Sequence, residues 1–300
     1  MTGLHVLINP HARGGRARQL ADPLRHWCQA QAPGSVLQMP DTVAQAHQWL
    51  RQLPAGTRVT LVGGDGTINQ MLPVLLECGL NLAVVPMGSG NDCARALGVA
   101  GRSWQQCLEL AGSAPTRPID VGWLDCDVVQ RPFLSSLTVG FDSAVGYRAL
   151  HGPRWLRGLP RYVLATLREI SALQTWDMTI AADGTPIHQG PALFASTLNT
   201  PTYGSGMPAT PQARVDDGWL NLLIAGQLNR LQVLGLLPLL LAGRHLGHAA
   251  IHTQPVRQLQ IRCARPMPLA TDGEYLGLSS DVAVRVKPAA LQVVWGSAQP

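Results

Sequence analysis

Apolar positions arrive in short bursts through roughly the first 120 residues, separated by stretches with helical spacing. Residues 5–8 read as a strand, and 16–31 as a basic helix after a turn at Asn9-Pro10. A helix is expected over 43–53, a strand over 58–62 and a helix over 67–78. A strand over 82–85 and a further helix opening near Asp92 complete the run. Strands and helices taking turns in this way predict an α/β, Rossmann-like unit with a parallel sheet. Beyond about Asp120 the rhythm becomes that of β-structure. Strands are expected over 133–139, 176–182, 191–199, 219–225, 256–263 and 282–286, with helical inserts near 157–173 and 229–242. Asp-Gly turn signals at 183–184, 217–218 and 272–273 separate several of them. The expected architecture is an α/β unit over 1–121 and a mostly antiparallel β-rich unit over 122–286, packed closely, with chemistry at the mouth between them.

The strand at 58–62 feeds Gly63-Gly64-Asp65-Gly66-Thr67, and the strand at 82–85 feeds Gly88-Ser89-Gly90-Asn91-Asp92. Glycines let a backbone approach an anion, and the amides that open a helix supply positive potential, so two such loops point to a nucleotide. Asp65 cannot face phosphate without a cation between them and reads as a Mg²⁺ ligand, direct or through water, with Asp92 joining it. The structural alternative is a tight turn whose Asp caps a helix with Thr67 in its first turn. Ser89 is placed to donate to phosphate. Cys93 stands where a dinucleotide fingerprint needs its third glycine, which disfavours a dehydrogenase.

Two acidic turns lie further on. Asp272-Gly273-Glu274 offers a pair of carboxylates, either of which could accept a hydroxyl proton, although an Asp-Gly turn is common on structural grounds alone. Asp216-Asp217-Gly218 reads as a turn or as a cation site built from Asp217 and backbone carbonyls. His245, His248 and His252 have near-helical spacing but no acid or cysteine at metal-site spacing, which suits a structural role better than zinc.

With 46% hydrophobic and 14% charged residues the chain is not disordered, and no signal peptide is visible. The longest apolar stretch, 231–242, falls short of the ~20 residues a bilayer span needs. The six scattered cysteines include no Cys-x-x-Cys pair and suit a reducing cytosol. Net charge is +5, carried by arginine with Lys287 as the one lysine, so a Walker loop with its Gly-Lys-Ser/Thr is excluded. No basic stripe interleaved with aromatics suggests nucleic acid, and an anionic membrane surface fits the basicity better. The five arginines between Arg148 and Arg168, with Trp155 and Tyr162, read equally as a solvated helix face or as a lipid-docking face.

Taken together, the chain resembles the diacylglycerol kinase catalytic-domain family, and among its members the soluble bacterial lipid kinases. The likeness is carried by Asn9-Pro10, by Val62-Gly63-Gly64-Asp65-Gly66-Thr67-Ile68-Asn69 and by Pro86-Met87-Gly88-Ser89-Gly90-Asn91-Asp92. It continues through Val139-Gly140-Phe141-Asp142, Asp216-Asp217-Gly218-Trp219, Leu239 to His245 and Thr271-Asp272-Gly273-Glu274. The resemblance implies a nucleotide domain and a β-sandwich-like lipid-substrate domain, with residues 287–300 returning to the first. It implies ATP and Mg²⁺ as cofactors, and phosphorylation of a lipid hydroxyl. Gly63, Gly64, Asp65, Gly66, Thr67, Ile68, Asn69, Gly88, Ser89 and Asn91 would line the nucleotide, with Asn9 and Thr42 beside them. Asp65, Asp92 and Asp120 would form the acidic network around catalytic Mg²⁺. Asp217, with the carbonyls of Arg214 and Trp219, would hold a structural one. Asp272 and Glu274 would be the base region. A cytoplasmic protein working on lipid at the inner face of the membrane, as a monomer or a homodimer and without nucleic acid, completes the expectation. Two other readings are an NAD kinase-like phosphotransferase and a non-catalytic nucleotide or lipid sensor. Arg13 departs from the family, standing where the first loop usually has glycine.

Overall fold

In the computed structural model, which describes residues 3–153, 155–156 and 158–296, the chain divides into two compact units. One runs to Ile119 and takes up the chain again from Ala289; the other is Asp120–Pro288.

The first unit begins with β1 (His5–Ile8), α1 (Arg16–Gln19), α2 (Ala21–Gln31), β2 (Val36–Gln38) and α3 (Val43–Leu50). It continues through β3 (Arg58–Gly63), α4 (Asp65–Glu77), β4 (Asn81–Pro86), α5 (Asp92–Ala96), α6 (Trp104–Ser113) and the start of β5 (Thr116–Cys126). The strands lie in the order β2-β1-β3-β4, all parallel. Val59, Leu61, Val62, Leu82 and Val85 are buried, as expected of strands covered by helices on both faces. Capping boxes start α3 and α6: the Thr42 and Ser103 hydroxyls accept N–H groups that would otherwise be unpartnered, while Gln45 and Gln106 reach back. The single basic helix expected over 16–31 is broken at Leu20 into α1 and α2.

The second unit contains β6 (Gln130–Phe133), β7 (Ser136–Val139), α7 (Phe141–Leu150), α8 (Leu159–Ile170), β8 (Trp176–Ala182), β9 (Thr185–Leu198) and β10 (Leu220–Gly226). It ends with α9 (Arg230–Leu241), β11 (Ile251–Val256), β12 (Gln258–Thr271) and most of β13 (Glu274–Val294). Its strands pair antiparallel in the order β11-β10-β9-β7-β12-β13, with β8 bridging β9 and β12. The strand expected at 133–139 is two, β6 and β7. The one expected at 256–263 straddles a corner at Arg257, between β11 and β12. Asp183-Gly184 and Asp272-Gly273 turn with φ of 49° and 81° in both cases, the two-residue hairpin geometry that Asp-Gly favours. One apolar core runs from Leu124 to Val284 and includes Phe133, Met178, Ile180, Ile261 and Met267.

Ala289, with a left-handed φ of 52°, stands where β13 leaves the second unit. Four residues on, Val293 pairs in parallel with Leu82, so the tail of β13 flanks β4 in the first unit.

Candidate functional site

Parallel strands deliver their connections to one edge. Here the loops after β1, β2, β3 and β4 all emerge at the carboxyl end of the first unit's sheet, the edge where α/β sheets bind ligands. The loops after β3 and β4 are locked into a single structure. A Cβ on Gly64 would fall 2.6 Å from the Cα of Gly88, and one on Gly88 would fall 2.7 Å from the Cα of Gly64. Met87 N–H donates to the Gly63 carbonyl at 2.7 Å. Asp65 completes the lock: its two carboxylate oxygens accept the N–H groups of Asp92 and Cys93, each at 3.0 Å, at the start of α5. The carboxylate thus caps a helix, but the one into which the neighbouring loop leads rather than its own. A carboxylate has about four lone-pair positions, so water or a cation can still be met on the open side.

Within the second loop, Gly88 N–H donates to Asn91 Oδ1 at 2.8 Å and Asn91 Nδ2 returns a bond to the Gly88 carbonyl. Asn91 sits at φ 58°, a left-handed conformation that asparagine tolerates. Ser89 is exposed at the tip. Asp92 is buried and pairs with Arg95 at 3.2 Å. In the first loop, Asn9 Nδ2 donates to the Thr67 hydroxyl at 2.8 Å, which ties the loop after β1 to the start of α4. Ile68 and Asn69 are fully buried in α4. A Cβ added at Gly66 would meet nothing within 4 Å, so that glycine faces open space. Thr42 follows β2 at the same edge, where its hydroxyl accepts from Gln45 N–H at 3.2 Å. Arg13 takes φ 53° in the β1 loop, the conformation its glycine counterpart would adopt freely.

The remaining acids belong to the second unit. Asp120 Oδ2 accepts from Gly218 N–H at 2.6 Å, and its own N–H donates to the Val215 carbonyl. Asp217 Oδ1 accepts from Trp219 N–H at 3.0 Å, and the Arg214 guanidinium pairs with Asp216. Asp120 and Asp217 therefore both hold residues 218–219. A carboxylate with the Arg214 and Trp219 carbonyls is a hard-oxygen set chemically suited to Mg²⁺, with water completing the shell. Among the described residues no three His, Cys, Asp or Glu side chains gather into a metal-holding group.

On the β12–β13 turn, Asp272 accepts three backbone N–H groups, from Leu134 at 2.9 Å, Ser135 at 2.7 Å and Ser136 at 2.9 Å. Glu274 pairs with Arg131 at 3.1 Å. Arg131 and Asn199 gave no signal in the sequence. The buried Asn199 amide donates to the carbonyls of Asp120 and Leu134, joining the two segments that carry these acids.

The second unit also holds an apolar cavity of about 90 Å³, walled by α7, α8, α9 and the β9–β10 sheet. Phe141, Val145, Leu193, Leu223, Leu236 and Leu240 set its character. Its one carboxyl group is Asp142, whose Oδ2 accepts from Ser196 Oγ at 2.5 Å. Desolvation pushes the Asp142 pKa up to about 7, against the lowering by Ser196 and the Ser143 N–H. Burial first, and then the Asp142 charge, raises the Tyr203 hydroxyl well above its ordinary value. His245 is buried, and burial pushes its pKa down. Its Nε2–H donates to the Ala209 carbonyl at 2.9 Å, while Nδ1 has no partner among the described residues. Of the five arginines in the basic stretch, Arg148 is tied to Glu169 and Arg161 to the carbonyls of Leu150 and Gly152. Arg154 and Arg157 lie outside the described residues. No helix among the described residues is long and apolar enough to cross a membrane.

Residues 3–124 match the model of the diacylglycerol kinase catalytic domain, and residues 135–295 that of the YegS C-terminal NAD kinase beta sandwich-like domain. A diacylglycerol kinase of Mycobacterium tuberculosis is 30% identical over 250 residues, which cover 83% of this chain and 80% of that protein. One from Bacillus subtilis is 27% identical, covering 73% and 72%. The crystal structure of a diacylglycerol kinase from Bacillus anthracis superposes with a TM-score of 0.70 at 18% identity, covering 99% of this chain and 97% of that one. Yeast NADH kinase complexed with NADH gives 0.53 at 10% identity, covering 100% and 85%, and so shares the fold.

Proposed function

This chain belongs to the diacylglycerol kinase family, and we propose that it transfers the γ-phosphate of ATP to the hydroxyl of a diacylglycerol-like lipid. The observation that carries the acceptor class is the cavity: apolar walls with a single carboxyl group suit hydrocarbon better than a dinucleotide with its charged phosphates. That lining also sets the lipid acceptor ahead of an NAD-type one. A non-catalytic sensor is disfavoured because Asp65, Asp92, Asp120, Asp272 and Glu274 are all retained.

In this reading the polyphosphate lies along the open side of Gly66 and the amides of the β4–α5 loop, with Ser89 at its tip. Asn9 orients the Thr67 hydroxyl toward the phosphates, and Asp65 keeps the two loops in register. Mg²⁺, when bound by Asp65 and Asp92 directly or through water, would neutralise phosphate charge. During transfer the acceptor oxygen forms a bond to Pγ, the bond from Pγ to the β,γ-bridging oxygen breaks, and ADP leaves with that electron pair. The hydroxyl proton passes to a carboxylate of the β12–β13 turn. We assign it first to Asp272, which three N–H bonds hold in place. A loose phosphoryl-transfer transition state depends on the position of that carboxylate more than on covalent chemistry by the protein.

The test is transfer of radiolabel from γ-labelled ATP to diacylglycerol, phosphatidylglycerol and sphingoid bases in mixed micelles with Mg²⁺, with NAD as a parallel acceptor. Label in a lipid supports the reading; label in NAD alone would replace it.

A further inference from the structure

Between Arg230 and Arg244 the chain has no charged side chain and only one polar one, Gln232. A helix that is hydrophobic all round belongs in a core. α9 is such a helix, yet only Val233 and Leu236 are buried, with Leu237 and Leu240 half-buried against the cavity. Leu231 is 80% exposed, and Leu234, Leu239 and Leu241 are exposed as well. Positions 231, 234, 238 and 241 recur at three- and four-residue spacing and so form one continuous outer stripe.

Arginines frame this stripe. Arg230 starts the helix and donates to the Ser171 carbonyl at 2.9 Å, which anchors it to the end of α8. Arg244 lies just beyond the other end and is exposed. Arg168, in the last turn of α8, is exposed beside Leu167. The carboxyl groups on α7, α8 and α9 are Asp142, which faces the cavity, and Glu169, which is paired with Arg148. The exposed leucines of α9 thus lie between arginines at both of its ends and near the end of α8, and among the described residues no salt bridge pairs Arg168 or Arg244.

We propose that the outer stripe of α9, with Arg168 and Arg244, docks this protein on an anionic lipid bilayer, the helix lying in the headgroup–acyl boundary. Twelve residues span roughly 18 Å, suited to lying in the interface plane and too short to cross it. A second copy is the poorer occupant, because a twofold pairing of antiparallel α9 helices would set Arg230 against the partner's Arg244. The inner side of the same helix walls the cavity, so a lipid passing from bilayer to protein meets α9 on both faces. Only that last point rests on the lipid-kinase reading.

The experiment is co-sedimentation of the full chain with phosphatidylcholine vesicles, with and without phosphatidylglycerol. Leu231→Asp/Leu234→Asp and Arg168→Glu/Arg244→Glu are compared with wild type, each checked by circular dichroism and Tm. Wild type should bind the phosphatidylglycerol vesicles and release them as salt rises. The leucine variant should lose about tenfold or more in partitioning, and the arginine variant should lose the preference for anionic lipid. Both variants should phosphorylate a short-chain, monomeric diacylglycerol as wild type does. A folded leucine variant that binds vesicles like wild type overturns the proposal, as does wild type that ignores vesicles. So does a wild-type dimer that the leucine variant splits without loss of vesicle binding. If no lipid is phosphorylated but partitioning follows the variants, the kinase reading fails and the docking surface stands.

Discussion

The polar groups of the first unit's candidate edge sit in short loops at strand ends between Asn9 and Asp92, whereas the second unit's cavity is lined from helices and strands by side chains from Phe141 to Ile251. At the edge, carboxylates are satisfied by backbone N–H groups and glycines are packed Cα to Cα. In the cavity, a lone carboxyl sits against hydrocarbon with its pKa near 7. The contrast shows two ways of holding charge. At the edge, Asp65 meets backbone donors and Asp92 meets the Arg95 guanidinium. In the cavity, burial favours the neutral form of Asp142 up to about pH 7, which lowers the cost of keeping a carboxyl among hydrocarbon.

The sharpest way to break the comparison is at the glycines. Gly64→Ala places a Cβ 2.6 Å from backbone and should both lower Tm and reduce kcat/KM by about 100-fold or more. Gly66→Ala has room for its methyl group and lies in the first turn of α4. It should leave stability unchanged or raise it by up to about 1 kcal/mol, and raise KM for ATP. An unchanged KM for ATP in Gly66→Ala would show that the open side is not the ligand side.

A second test concerns the base. Asp272→Asn should cost about 100-fold or more in kcat and also lower Tm, since the amide cannot accept all three N–H bonds. Glu274→Gln, losing only its partly exposed pair with Arg131, should cost less in both; the reverse order would transfer the proton to Glu274.

The cavity acid gives a pH signature. Folded Asp142 keeps its proton up to about pH 7 and the unfolded chain releases it near pH 4. The folded state therefore binds the extra proton between those values, and stability contributed by that proton falls as pH rises from about 4 to about 7. Asp142→Asn should narrow the difference in Tm between pH 5 and pH 8, and an unchanged difference would show that Asp142 is not desolvated. The smallest effect belongs to Thr42→Ala, which should cost about 1 kcal/mol through the lost cap of α3 and leave KM for ATP unchanged. A raised KM would bring Thr42 into the nucleotide site.

What the sequence disclosed follows the same division. The strands ending at Gly63 and Pro86 stand out because a buried parallel strand is a compact apolar run ending in glycine or proline. The Asp-Gly hairpins stand out because their backbone demands those residues. α7 did not, since Gly140 and Gly146 flank and interrupt its pattern; β5 did not, because Pro118 and Asp120 hide its alternation. The cavity was illegible for a deeper reason. Asp142, Tyr203 and His245 are far apart in the chain, and only the sheet and its covering helices bring them to one space. Asp65 shows a subtler limit: its residue type suggested a cation, or a cap on its own helix, while the donors it accepts lie in the next loop.

The tail of β13 has a consequence for how the chain is made. Val293 pairs with Leu82, so the outer edge of β4 waits for a partner that leaves the ribosome roughly two hundred residues later, on the order of ten to forty seconds at ordinary rates of synthesis. Throughout that interval Leu82, Val84 and Val85 belong to a strand with one open edge, a template for pairing with other nascent chains. The half of the protein that is translated first is thus completed last, and chaperone demand in the cell should concentrate on β4.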